Sequence, residues 1–129
     1  MQDVAEFHVS FDLPISVRPQ RNVAADIGSL RVELLREEFE EFKVAVVRQD
    51  TVAIADALAD IVYVAYGSAL TYGIDLDAVL REVHRANMSK LGANGKPMMR
   101  EDGKVLKPPT YAGPNVGRVL LDQPPLFLD

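Results

Sequence analysis

The sequence predicts an all-α protein, built as an antiparallel helical bundle, and three observations carry that prediction. Apolar residues recur at helical spacing from about Ala24 to Arg48. The run from Ala53 to Tyr72 is apolar nearly all the way round, the mark of a helix buried in a core. The break between the two is Gln49-Asp50-Thr51, with Val52 leading into the run. So short a break joins two helices only as an antiparallel hairpin.

The totals fit that class. With 129 residues, the chain is expected to be one domain. Its helical core would run from about 24 to 91, with an irregular C-terminal tail from about 92 to 129. Hydrophobic residues make up 48% and charged residues 26%, as in soluble globular proteins. A net charge of −5 argues against binding a nucleic acid polymer, which needs a basic surface. The chain has no cysteine, which excludes disulfides, zinc–thiolate sites and thiol catalysis together. The first residues carry early acids and no basic region before an apolar core, unlike a signal peptide. Two aspartates inside the long apolar run make membrane spanning expensive. A cytoplasmic protein off the membrane is therefore expected.

Taken in order, residues 3 to 12 can form a short amphipathic helix with Val4, Phe7 and Phe11 on one face. Phe7, His8 and Phe11 suit core packing or an oligomer contact better than a wall for stacking a base. Pro14 and Pro19 then open a turn-rich segment to about Asn22. In the next helix, Leu35, Phe39, Phe42 and Val46 form a stripe with Ala45. A helical wheel puts Glu38 inside that stripe, Glu41 on its edge, Glu37 just beyond, and Glu40 on the solvated side. Asp50 or Thr51 can cap the apolar helix, which Gly73 ends. Asp75 caps a further helix, about Leu76 to Lys90. Its apolar face of Leu76, Leu80 and Val83 continues into polar Asn87 and Lys90. His84 borders that face and reads as packed or hydrogen-bonded. Past Gly92 the chain is rich in Gly and Pro, with a small hairpin at Asp102-Gly103 and a last helical turn or two at Pro114 to Leu121.

Asp56 and Asp60 interrupt the apolar run four residues apart, so they stack on one helical face. Carboxylates buried there need pairing, hydrogen bonds or a metal. The hairpin brings the Glu38/Glu41 turn alongside them, because the two levels lie at similar distances from the loop. A salt bridge to a neighbouring Arg or Lys is the plainer alternative for the aspartates, and a solvated face for the glutamates. Glu38 falling where a leucine belongs favours a shared site. Glu38, Glu41, Asp56 and Asp60 can surround one hard divalent ion or a pair. Glu37 is close enough to orient or deprotonate a water. Carboxylates dominate from Glu33 to Asp60, whereas Lys90, Lys96, Arg100, Lys104 and Lys107 make the later segment basic. Acids for a cation and cations for phosphate fit a metal–polyphosphate site. A Glu-x-x-His di-iron motif, a P-loop, a dinucleotide fingerprint and a nucleophile elbow are all missing.

These residues resemble the MazG-like all-α nucleoside triphosphate pyrophosphohydrolases, which include phosphoribosyl-ATP pyrophosphohydrolase and dimeric dUTPase relatives. That family pairs E-x-x-E on one helix with E-x-x-D on the next. Glu38 and Glu41 match the first half, with Glu37 supplying the usual double glutamate. Asp60 matches the end of the second half, but Ala57 stands where a glutamate is usual, and Asp56 is the available substitute. Asn87 and Lys90 match a downstream N-x-x-K, and the DGKVLKPP stretch is similar to the tail of a bacterial and phage subgroup. The resemblance covers about Val4 to Pro109. It implies a homodimer or homotetramer in which neighbours complete the site. It also implies Mg²⁺ or Mn²⁺, two or more ions per site, held by Glu38, Glu41, Asp60 and Asp56. Glu37 would be the catalytic base, and Asn87, Lys90 and Lys107 would meet the substrate. The implied reaction splits a nucleoside triphosphate into monophosphate and pyrophosphate, with dUTP, dGTP or GTP as candidates. Phosphoribosyl-ATP hydrolysis and a helical module that binds nucleotide without turnover are the alternatives.

Overall fold

The computed structural model describes residues 1–127, and within them the chain is helical. Five helices follow in order: α1 Gln2–Ser10, α2 Ala25–Val47, α3 Thr51–Tyr72, α4 Leu76–Met88 and α5 Val116–Asp122. No strand forms among the described residues beyond isolated β-bridges. The chain divides into two compact units, Met1–Ile74 with Pro124–Asp129, and Asp75–Gln123.

The first unit is organised on the α2–α3 hairpin. Asp50 caps α3 by accepting from the Ala53 N–H at 3.1 Å. From that closed end the helices run antiparallel, and named contacts mark the ladder. Glu38 faces the Asp60 turn. Arg31 donates from Nε to Ser68 Oγ at 3.0 Å and from Nη2 to the Val64 carbonyl at 2.8 Å. At the open end, a methyl at Gly28 would stand 2.8 Å from the Tyr72 hydroxyl. Gly73 ends α3 at φ +72°, and a side chain there would strike the Arg18 carbonyl at 2.0 Å. Glycine alone satisfies both demands.

The segment that reads as turn-rich in the sequence is tied down along the C-terminal turns of α3. Ser16 N–H donates to the Leu70 carbonyl, Ser16 Oγ to the Thr71 carbonyl, and Gln20 N–H to the Tyr72 carbonyl, each at 2.9 Å. α1 packs on α3, where Val4 and Ala5 meet Leu70 and Leu126 in the buried cluster. Phe7 stacks on Phe11 with ring centroids 4.4 Å apart and meets Tyr63 edge-on at 5.7 Å. Of the three, only His8 is buried as the sequence favoured, whereas Phe7 and Phe11 stay exposed. His8 is 2% exposed, and its Nδ1 lies 3.2 Å from the Pro14 carbonyl.

Two expectations are corrected here. α3 is not wrapped on all sides: its buried residues are Ala57, Gly67, Ala69, Leu70 and Thr71, while Val52, Leu58, Val62 and Tyr63 face outward. Likewise Leu35, Phe39 and Val46 of the supposed core stripe are exposed. The inward face of α2 instead runs through Arg31, Leu34, Glu38, Phe42 and Ala45, all at least half-buried. One chain of this size has too few other elements to cover two long apolar helices.

In the second unit, Asp75 caps α4 by accepting from the Ala78 N–H at 3.0 Å. α5 packs on α4. The expected hairpin at Asp102-Gly103 is present: Met99 bridges Val105 and Gly103 takes φ +85°. His84 is exposed, not packed, because it lies outside the buried edge of α4 marked by Ala86.

Candidate active site

Glu38 and Asp60 are the acids of the hairpin that the fold turns inward, and Glu38 carries the buried oxygen. Glu38 is half-buried, and its Oε2 is a buried side-chain oxygen with no hydrogen-bond partner among the described residues. Such an atom carries a desolvation cost that nothing in the chain offsets. Burial raises the Glu38 carboxyl above the ordinary carboxylate range, and the charges of Asp60, Glu41, Glu37 and Asp56 raise it further, in that order. All four other acids named from the sequence therefore act on Glu38.

Their settings differ. Asp60 is half-buried on α3 and is the strongest of these charged neighbours. Glu41, Glu37 and Asp56 are exposed. Asp56 acts most weakly, because the buried position of this turn belongs to Ala57, which is 3% exposed. The salt-bridge alternative for the aspartates is not realised, since neither pairs with a Lys or Arg among the described residues. Glu40 behaves as the helical wheel places it: it lies on the solvated side and pairs with Lys43 at 3.0 Å. Among the described residues no three acidic or imidazole groups stand close enough to enclose an ion as placed. Five oxygen-donor side chains on two packed helices, one of them desolvated, make up the chemical character of this site.

Arg31 was not singled out in the sequence. It lies seven residues before Glu38 on the same inward face of α2. Its guanidinium and the His8 ring close over Gly67, where an added methyl would meet Arg31 Nη2 at 2.5 Å and His8 Nε2 at 2.7 Å. Burial lowers the Arg31 pKa, and no carboxylate pairs with it among the described residues. Burial also lowers the His8 pKa; the Pro14 carbonyl opposes this and the Arg31 charge adds to it. The seven-residue spacing from Glu38 was the available signal, but a cation on an apolar stripe reads as a boundary residue.

The substrate-binding candidates Asn87, Lys90 and Lys107 all lie in the second unit, and there the fold gathers them. Lys90 Nζ donates to Asn87 Oδ1 at 2.9 Å. Lys90 Nζ also stands 5.9 Å from the centroid of the Tyr111 ring, and Lys107 Nζ stands 5.2 Å from the same centroid. Tyr111 had no signal in the sequence, because only the return of residues 108–115 onto α4 brings it there.

Comparison with known proteins agrees with this architecture. The phosphoribosyl-ATP pyrophosphohydrolase family matches residues 4–87, which take in α1 from Val4, the whole hairpin and α4 as far as Asn87. Protein L479 of Acanthamoeba polyphaga mimivirus is 30% identical over 109 residues, covering 82% of this chain. The chain spans 41% of the length of that relative. The family match holds the complete α2–α3 hairpin and every acid that bears on Glu38, so the chain belongs to the phosphoribosyl-ATP pyrophosphohydrolase family of the MazG-like superfamily.

Proposed function

We propose that the protein hydrolyses a nucleoside triphosphate, a deoxynucleotide such as dUTP or dGTP (or GTP), to the monophosphate and pyrophosphate. The observation that carries this reading is the buried, unpartnered Oε2 of Glu38 amid four further acids. Family membership supports pyrophosphohydrolysis of a nucleotide as the reaction class.

The donor set fits Mg²⁺ or Mn²⁺. It is made only of carboxylate oxygens, which hard cations prefer, and a cation would satisfy the orphaned Glu38 oxygen. When bound, two or more such ions would neutralise the triphosphate and acidify a water. Glu38 and Asp60 would be the firm ligands, each already turned at least partly inward. Glu41 and Asp56 are exposed without a hydrogen-bond partner among the described residues, so they are free to swing inward. Glu37, exposed one residue before Glu38, would take the proton of the attacking water. Asn87, Lys90 and Lys107 would meet phosphate oxygens.

A homodimer or homotetramer goes with this reading. Leu58, Val62 and Tyr63 leave an apolar face on α3, and Leu35 and Phe39 leave one on α2. α3 is long and apolar enough to cross a membrane by length and composition. Asp56 and Asp60 on the same helix make a second copy the cheaper cover.

The deciding experiment incubates the protein with all common NTPs and dNTPs, and with phosphoribosyl-ATP, in Mg²⁺ or Mn²⁺. Pyrophosphate release with a deoxynucleotide as the best substrate is expected. Binding without products from any substrate would instead make the protein a nucleotide-binding module.

A further inference from the structure

The return of the C-terminal segment onto α4 has a chemical consequence. Three side chains of α4 and its C-terminal end strap residues 112–115 in place. Ser89 Oγ accepts from the Ala112 N–H at 3.0 Å. Arg85 Nη2 donates to the Gly113 carbonyl at 3.0 Å, and Glu82 Oε1 accepts from the Asn115 N–H at 2.8 Å. Arg85 and Glu82 are themselves an ion pair at 2.8 Å. Thus Tyr111 is held by its neighbours on both sides, since Thr110 Oγ1 donates to the Leu91 carbonyl at 3.4 Å, and its own N–H donates to the Pro108 carbonyl at 3.0 Å.

On that fixed ring two lysines converge. The aromatic face attracts each ammonium group and sets its position. The arginines of this strap and of its neighbours, Arg85, Arg100 and Arg118, are each matched by a carboxylate, but Lys90 and Lys107 are not. The two ammonium groups stand 5.9 and 5.2 Å from the same ring centroid, and an anion bound by both would offset their mutual repulsion. Lys107 is exposed and Lys90 only half-buried, so both ammonium groups can be reached from solvent.

We infer that Tyr111 is a positioning residue for polyphosphate: its ring holds Lys107 beside Lys90 as a two-cation clamp for a pyrophosphate group. The inference rests on the proposed reaction for its biological meaning, since pyrophosphate is the product of that reaction. The clamp itself lies wholly within Asp75–Gln123.

Inorganic pyrophosphate titrated into the full chain in EDTA, followed by backbone amide shifts, tests the clamp without any turnover. Saturable binding with shifts centred on residues 87–112 is expected. Lys107→Ala and Tyr111→Leu should each weaken it by about tenfold, as for loss of one charge-assisted contact. Tyr111→Phe keeps the ring and should bind within about twofold of the parent, a rescue that a role for the hydroxyl would not give. In turnover assays Tyr111→Leu should raise KM and leave kcat nearly unchanged. The inference is overturned if the parent shows no saturable binding, if Tyr111→Leu binds as the parent does, if Lys107→Ala has no effect, or if Tyr111→Phe loses as much as Tyr111→Leu. A parent that binds pyrophosphate in this way yet turns over no nucleotide keeps the clamp and refutes the proposed reaction. A parent that turns over nucleotides with no effect of Tyr111→Leu does the reverse.

Discussion

Glu38 of α2 and Asp60 of α3 lie on facing turns of the hairpin, and Asp60 is the charged neighbour that acts most on the Glu38 carboxyl. Burial first, and Asp60 second, hold the Glu38 carboxyl above its ordinary range. A helical bundle gains nothing from this arrangement when no cation is bound. It keeps two helices packed with a desolvated acid between them, where Leu or Ala would be cheaper.

The first prediction concerns pH. The folded state raises the Glu38 pKa above its ordinary 4.5 and therefore favours its protonated form. The corresponding stability is fully present below about pH 4.5 and is lost as pH rises through the raised value. Metal-free Glu38→Gln should therefore be more stable than the parent at pH 7, with the gap closing toward pH 4.5. His8 acts oppositely, since burial favours its neutral form and acid below its ordinary 6.5 removes stability. His8 is common to both proteins, so its effect cancels in their difference. Urea midpoints of the pair from pH 4 to 8 measure that gap; a gap independent of pH would refute the buried-acid account.

Metal should reverse the penalty. Mg²⁺ or Mn²⁺ at about 100 times its dissociation constant should stabilise the parent by about 2.7 kcal/mol, raising its Tm by several degrees. EDTA should return the Tm to its starting value. Asp60→Asn and Glu38→Gln should show little of this rise. Differential scanning calorimetry with and without the ion gives the answer directly.

The acids should not count equally in turnover. Asp60→Asn is expected to abolish pyrophosphate release with helix content intact, judged by circular dichroism. Asp56→Asn should keep more activity than Asp60→Asn by at least about tenfold, because Asp56 is exposed and acts most weakly on Glu38. Equal losses in the two variants would show that Asp56 fully replaces the family glutamate missing at Ala57.

Gly67→Ala tests the packing that seats α1. Its methyl would stand 2.5 Å from Arg31 Nη2 and 2.7 Å from His8 Nε2, so both side chains must move. Helix propensity favours alanine, but the clash should win, costing about 1–3 kcal/mol in denaturant unfolding. A variant as stable as the parent would mean that Arg31 and His8 are free to leave Gly67.

Much of the hairpin was legible because local rules act strongly there. Asp50 and Gly73 bound α3 through a cap and a left-handed turn, and both signals are local in sequence. Helical spacing placed Glu38 inward and Glu40 outward, and the fold agrees. The same spacing misplaced Leu35, Phe39 and Val46, because a periodic apolar stripe does not say whether its cover comes from the same chain. Arg31 was overlooked for a related reason: only contact with Ser68, Val64 and the His8 ring turns a boundary arginine into a structural one.

The sequence by itself determined the helical class and the hairpin, and it named the acids proposed to share a site, since each follows from spacing along one or two helices. Tertiary structure alone decided which acid is desolvated, since burial depends on what packs above a residue and not on its neighbours in the chain. It also decided that Ala57, not Asp56, takes the buried position of its turn. It brought Tyr111 to Lys90 and Lys107, across a Gly- and Pro-rich stretch whose path is set by hydrogen bonds to Glu82, Arg85 and Ser89. Those bonds join residues more than twenty positions apart, and no periodicity in the sequence encodes them.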